Sequence, residues 1–335
     1  MSRVLRLVPI IPPAALVVAV GLVGSTLERS SQIYVMNALV SVSMVVALYS
    51  FVGNTGVLSF GHMSFVAVGA WVAGVMSIPT DIKVGILPEL FEPLQTTSVG
   101  NLTSLVLAAV AGGLAAALVG LPLMRLSGLA AGIATFAVLE IVHNVLRYWE
   151  KIGPGAGAFS SVPETTGLLQ ATIGALVVMG VAFAYQVSRR GRLARATRED
   201  PAAARAVGIS VYRERLGAFI LSGALAGLAG GLFIHQLVIT SEDVYLGATF
   251  LTLSMLVIGG LTSLWGAVLG TFVVTGLDAF LAQAENDSVP FVPDLPSGTR
   301  LVVVALVMAL VLVVRPNGLT GGRELVIRRR RGGTR

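Results

Sequence analysis

Cysteine is absent from this 335-residue chain, which excludes disulfides, thiolate metal sites and a cysteine nucleophile. Charge is scarce. Asp, Glu, Lys and Arg make up 12 % of the residues, against about 25 % in soluble domains, and a soluble surface needs more than that. Histidine occurs three times, as His62, His143 and His235, at spacings that fit no histidine metal cluster. Patterns of the form GxxxxGK[ST], GxSxG and HExxH are also missing, so no catalytic set for nucleotide, ester or metal-assisted peptide hydrolysis is visible.

What is present is apolar. Hydrophobic residues make up 55 % and the mean hydropathy is +0.86. A helix that crosses a bilayer needs about 20 predominantly apolar residues. Candidate spans fall at residues 8–26, 33–52, 57–77, 101–122, 128–147, 166–187, 216–238, 244–259, 262–282 and 298–314. The eighth is short, and in the last Arg300 and Arg315 flank the apolar run, where their stems can snorkel and lengthen the span. The expected fold is all-α: a polytopic membrane protein of about ten transmembrane helices, forming one transmembrane domain over residues 1–335. The first apolar run follows Arg3 and Arg6 without an A-x-A cleavage site, so it reads as an uncleaved helix.

The net charge of +6 does not point to nucleic acid, because the basic residues sit beside the spans. They cluster at the N-terminus, in residues 188–215 and in the tail, residues 320–335. Positive residues favour the cytoplasmic side. That places both termini and residues 188–215 in the cytoplasm of a bacterial inner (cell) membrane. It leaves Asp81, Lys83, Glu89 and Glu92 outside, with Glu285, Asp287 and Asp294. The Arg-rich tail would meet anionic lipid.

Three segments interrupt the apolar pattern. Residues 53–69 read GNTGVLSFGHMSFVAVG, with Ser59, Gly61 and His62 inside a candidate span. Glycine permits a break or a close approach, and a broken helix exposes backbone groups to a polar solute; a tight loop and helix start is the plainer alternative. In residues 127–148, Thr135, Glu140, His143 and Asn144 lie in or at the end of a span. A carboxylate there either faces protein or a water-filled path, or belongs to an interfacial cluster at the outer end. In residues 188–215, Asp200 precedes Pro201 and Gly208 closes the run, the pattern of a short capped helix presenting Ala203 and Val207. Small residues elsewhere, among them Gly227, Gly230, Gly259, Gly260 and Gly266, suit close helix packing in lipid. His235 and Asp278 lie near outer helix ends, where interfacial placement is expected.

These segments resemble the membrane permease of branched-chain amino acid ABC importers, particularly the LivM-type subunit. Gly56, Ser59, Gly61, His62 and Phe65 match its G-x-x-S-x-G-H-x-x-F pattern; Thr135, Ala137 and Glu140 match T-x-A-x-x-E. Arg198, Glu199, Asp200, Ala203 and Gly208 fall in the segment resembling the loop that couples to the ATPase. Trp265-Gly266 and Arg315-Pro316-Asn317-Gly318-Leu319 match two further signatures. The resemblance implies a helical fold with a broken helix near its core, and a complex. Its partners would be a homologous second permease, two cytoplasmic ATPase subunits and an extracytoplasmic solute-binding protein. This chain would bind no cofactor, ATP and Mg being used by the ATPase subunits. Residues 152–157 depart from the family's T-G-G-x-x-G stretch, lacking its Thr and carrying Pro154. The solute therefore stays open between branched-chain amino acids and urea, short amides or sugars. A self-contained channel or ion-coupled carrier is the reading of a different class.

Overall fold

The computed structural model describes residues 8–285, 299–315 and 317–324. Arg3, Arg6, Asp287, Asp294 and the run at 328–331 lie outside the described residues. Among the described residues the chain is helical. The helices are α1 (Ile11–Ser25), α2 (Arg29–Thr55), α3 (His62–Ser77), α4 (Thr80–Ile86), α5 (Glu92–Gln95), α6 (Asn101–Leu123) and α7 (Leu129–Tyr148). They continue as α8 (Leu168–Val187), α9 (Arg189–Glu199), α10 (Pro201–Ala206), α11 (Val211–Ile234), α12 (Leu246–Gly259), α13 (Leu264–Glu285) and α14 (Thr299–Val314).

A helix forms at each of the ten expected places, but fewer than ten qualify as full spans. Seven described helices are long and apolar enough to cross a membrane, or eight if α3 and α4, bent by 118°, count as one broken span. The apolar helices Ile11–Ser25 and Val302–Val311 are shorter. α3 is short because residues 57–61, expected inside its helix, are not helical. Gly56 takes the left-handed conformation at φ 71° and ends α2, and the Phe60 amide donates to a side chain of α7. Conversely, α11 starts five residues before the expected 216, at Val211, where the Ser210 hydroxyl accepts from the Arg213 amide at 3.5 Å.

α11 is the spine, packed on α2, α3 and α6. A helix apolar on every face is one surrounded by others. The partition is clearest on α6. Ser104, Ala108, Gly112, Ala116 and Gly120, four residues apart, are buried toward the bundle, whereas Leu102, Val106, Val110, Leu114 and Leu118 are exposed on the other side. Spacing by four keeps each set on one face. Where α6 and α3 meet α11, backbones touch: a Cβ on Gly227 would overlap the Ala108 carbonyl, and one on Gly230 the Val66 carbonyl. Close approach of small residues supplies the packing that drives association in lipid.

The described ends of the chain lie together. Gly21 and Gly24 of α1 rest on Thr172 and Leu168 near the start of α8, so α1 runs antiparallel to α8 and begins at the end of the bundle where α9 lies. The described C-terminal stretch is at that same end. The Leu319 amide donates to the Ile258 carbonyl at 2.7 Å, and Thr320 Oγ1 to that of Gly259 at 2.8 Å. Glu324 then accepts from the Leu264 and Trp265 amides at 2.8 and 3.2 Å, and from Gln186 Nε2 at 3.3 Å. This hook satisfies free carbonyls at the end of α12 and free amides at the start of α13.

Candidate functional site

The break between α2 and α3 is a re-entrant turn. α2 ends at Gly56, and residues 57–61 climb back along α7 until α3 starts at His62. Ser222 of α11 stands opposite His62, with its Oγ 3.4 Å from His62 Nδ1 and bonded to the Ala47 carbonyl at 2.8 Å. Ser222 is eleven residues into α11, so α3 begins about 16 Å along that helix at 1.5 Å per residue.

Four of the candidate residues meet there. Thr135 Oγ1 donates to the Gly132 carbonyl at 2.7 Å and accepts from the Phe60 amide at 3.1 Å. Gly61 lies against Thr135 so tightly that a Cβ would overlap its carbonyl. Ser59 is fully buried and His62 is 2 % exposed. Ser59 Oγ, His62 Nε2 and Ser64 Oγ have no hydrogen-bond partner among the described residues. Buried polar groups are normally paired, and these three atoms surround a break in the helix. Met63, next to His62, lines a cavity of about 320 Å³. Met44 and Met255 share its apolar part, and Asn37, Asp243 and Asp278 its polar part.

Glu140 belongs to a different cluster. It is exposed on α7, accepts from Asn144 Nδ2 at 2.9 Å, and takes the Tyr245 hydroxyl hydrogen bond. His143 stacks on Tyr245, with ring centroids 3.7 Å apart, and lies 3.5 Å from a Glu242 carboxylate oxygen; Arg147 pairs with that same carboxylate. The cluster ties α7 to the segment leading into α12. No hydrogen bond or ion pair among the described residues joins it to Ser59, His62 or Thr135. His235, at the end of α11, is fully buried within the bundle, bridging Ser104 Oγ at 2.9 Å and the Pro163 carbonyl at 3.0 Å.

The third candidate segment forms an arm of two helices. The Ser188 hydroxyl accepts from the Gly191 amide and starts α9. Asp200 accepts from the Ala202 and Ala203 amides at 2.8 and 3.0 Å and starts α10. Those bonds, the Ala203 one first, hold its carboxyl below the ordinary carboxylate range. Gly208 ends the arm at φ 82°. Ala202, Ala203, Ala206 and Val207 are all exposed, Val207 at 75 %. Glu199 is exposed too, but Arg198 turns inward.

Of the packing residues, Gly227 and Gly230 hold α11 to its neighbours, and Gly259, Gly260 and Gly266 pack the α12–α13 joint under the hook. Residues 53–56 and 259–262, glycine-bearing breaks in two parts of the sequence, abut here: a Cβ on Gly53 would lie 3.0 Å from the Leu261 carbonyl. Sequence reasoning overlooked Ser222, Tyr245 and Glu324. Ser222 is hidden among small packing residues, and the other two matter through partners far away in sequence. An acid beside an Arg-rich tail was the one signal available for Glu324.

The family described as the permease component of branched-chain amino acid transport systems matches residues 30–313. A branched-chain amino acid permease of Salmonella typhimurium, LivM, is 25 % identical over 80 % of this chain and 64 % of its own length. A probable LivH permease of Methanocaldococcus jannaschii is 32 % identical over 44 % of this chain and 45 % of its own. An autoinducer 2 import permease, LsrC of an Enterobacter species, is 30 % identical over 53 % and 55 %. The chain thus spans between about half and just under two thirds of the length of these relatives. No solved structure matches. With 284 of 335 residues inside the match, the chain belongs to the family of branched-chain amino acid transport permeases.

Proposed function

We propose that this chain is the membrane-spanning permease subunit of an ATP-driven importer, and that with a second, homologous permease it forms the path for branched-chain or similar amino acids. The family match carries this reading. The geometry agrees with it. A capped arm presents exposed alanines and Val207 at one end of the bundle, suited to a partner, and a break where Ser59 Oγ and His62 Nε2 find no partner among the described residues lies deep inside. In this reading the arm and both termini face the cytoplasm of the inner membrane. Two ATPase subunits dock there and use ATP and Mg, while an extracytoplasmic binding protein delivers solute to the other face. The chain itself performs no chemistry and binds no cofactor.

The test is uptake of labelled leucine into vesicles carrying the whole complex, with and without ATP inside and binding protein outside. ATP-independent uptake would establish a channel or carrier instead. A second reading concerns only the solute: the likeness to the autoinducer 2 import permease favours a solute of the autoinducer 2 kind over an amino acid. Binding of that class, and not leucine, by the cognate binding protein would decide for it.

A further inference from the structure

Arginine is the commonest residue of α9, yet its arginines do different things. Arg192 and Glu199 are exposed, while Gly191, Ala194 and Thr197 are buried against the bundle. Arg195 and Arg198 lie between these faces and reach for the end of α2. Arg198 Nη1 donates to the Gly53 carbonyl at 2.5 Å. Its Nε and Nη2 donate to the Glu199 carboxylate at 3.0 and 2.5 Å, which fixes the guanidinium in plane. The Arg198 stem fills the space beside Gly56, with Cγ 2.6 Å from where a Cβ would stand. Arg195 Nη1 donates to Asn54 Oδ1 at 3.3 Å, and Asn54 Nδ2 donates back to the Ser50 carbonyl at 3.0 Å.

Gly53 is one of the last residues of α2, whose final carbonyls have no partner within the helix and carry the negative end of its dipole. A cation is the favoured cap. This cap comes from the arm, and it grips α2 in its last turn, just before the backbone leaves the helix for Ser59, Gly61 and His62. The α10 face, at the other end of the same arm, is joined to α9 through Asp200, whose amide closes α9 on the Ala196 carbonyl while its carboxylate opens α10.

We infer that Arg198, seconded by Arg195, is a positioning residue that ties the α9–α10 arm to the end of α2, so that displacement of α10 moves the α2–α3 break. The inference rests on the reading of α10 as the ATPase-docking face. It differs from the family resemblance in the direction of the contact: Arg198 acts inward on its own chain rather than outward on the partner. Lysine could reach one carbonyl but lacks the planar fork that serves Gly53 and Glu199 together.

The experiment uses the whole complex in proteoliposomes, measuring solute uptake and ATP hydrolysis side by side. Wild type lacking a co-purified ATPase overturns the importer reading itself, before any variant is made. Arg198→Met is expected to insert, retain the ATPase and hydrolyse ATP, while taking up at least tenfold less solute per ATP; Arg198→Lys recovers part of the loss. An unchanged ratio of uptake to ATP overturns the tie, and so does loss of the ATPase subunit, which would make Arg198 a docking contact. Should Arg198→Met not accumulate, the absence of native cysteine allows a covalent substitute. A Cβ on Gly56 would lie 3.6 Å from Arg198 Cβ, within disulfide range, and Gly56→Cys alone, which carries the same strain at φ 71°, is the matched control. Gly56→Cys with Arg198→Cys should transport when oxidised and lose coupling when reduced. Equal coupling in both states overturns the inference.

Discussion

Gly61 has no room for a side chain, and Ser59 has no partner for the one it carries. The two residues therefore predict opposite kinds of variant. A methyl at Gly61 collides with the Thr135 carbonyl, so α3 or α7 must shift; overpacking of this kind costs about 1–3 kcal/mol. Ser59→Ala removes a buried hydroxyl that bonds to nothing among the described residues, and leaving such a group unpaired costs about 1–3 kcal/mol. Gly61→Ala is expected to lower both thermal stability in detergent and uptake. Ser59→Ala should keep or raise stability, so that any loss of its uptake reports on the solute path alone.

At the scale of elements, α9 and α10 were the most legible. Asp200, Pro201 and Gly208 are local signals, and a capped helix needs nothing beyond its own neighbours to start and stop. The start of α3 was not legible. Residues 57–61 are as apolar as a span, and they leave the helix because of Thr135, 75 positions away, which takes the Phe60 amide. The same distinction applies to Glu140: sequence left it between a buried path and an interfacial cluster, and the partner that holds it, Tyr245, stands 105 residues on. The exposed face of α10 supports a separable prediction. On a free surface Ala203→Glu should cost no more than about 0.5 kcal/mol, so this chain's own melting and membrane level should hold. In a closed interface the same charge is buried without a partner and costs a few kcal/mol, where 2.8 kcal/mol is about a hundredfold in association. Pull-down from solubilised membranes is expected to lose the ATPase. Full retention would return α10 to the status of a surface loop.

For the whole molecule, the sequence argument about sides depends on parity. Each crossing reverses the chain, so one span miscounted would separate clusters that ought to share a face. α1 lies antiparallel to α8, and its first residues reach the α9 end; the hook at 318–324, through Gln186 at the close of α8, reaches the same end. An even number of passages therefore separates the first described residues, the arm and the hook, even though the helices that qualify as spans by length number seven or eight rather than ten. What was hidden from sequence is how the fold keeps parity with short helices. α1 has 15 residues, or about 22 Å of rise, less than the roughly 30 Å hydrocarbon core. α3 has 16, with an extended entry through residues 57–61. Neither spans that thickness by its own length. Sidedness itself is then a single binary choice, made by the eight arginines of residues 188–215. Epitopes inserted at residue 89 and at residue 206, with a third after Arg335, test it in intact spheroplasts. The first is expected to be labelled from outside. The second and third should be reached only after permeabilisation. Labelling of the second and third on opposite sides would break the parity argument. All three reversed together would leave the fold standing and turn the arm away from any cytoplasmic ATPase.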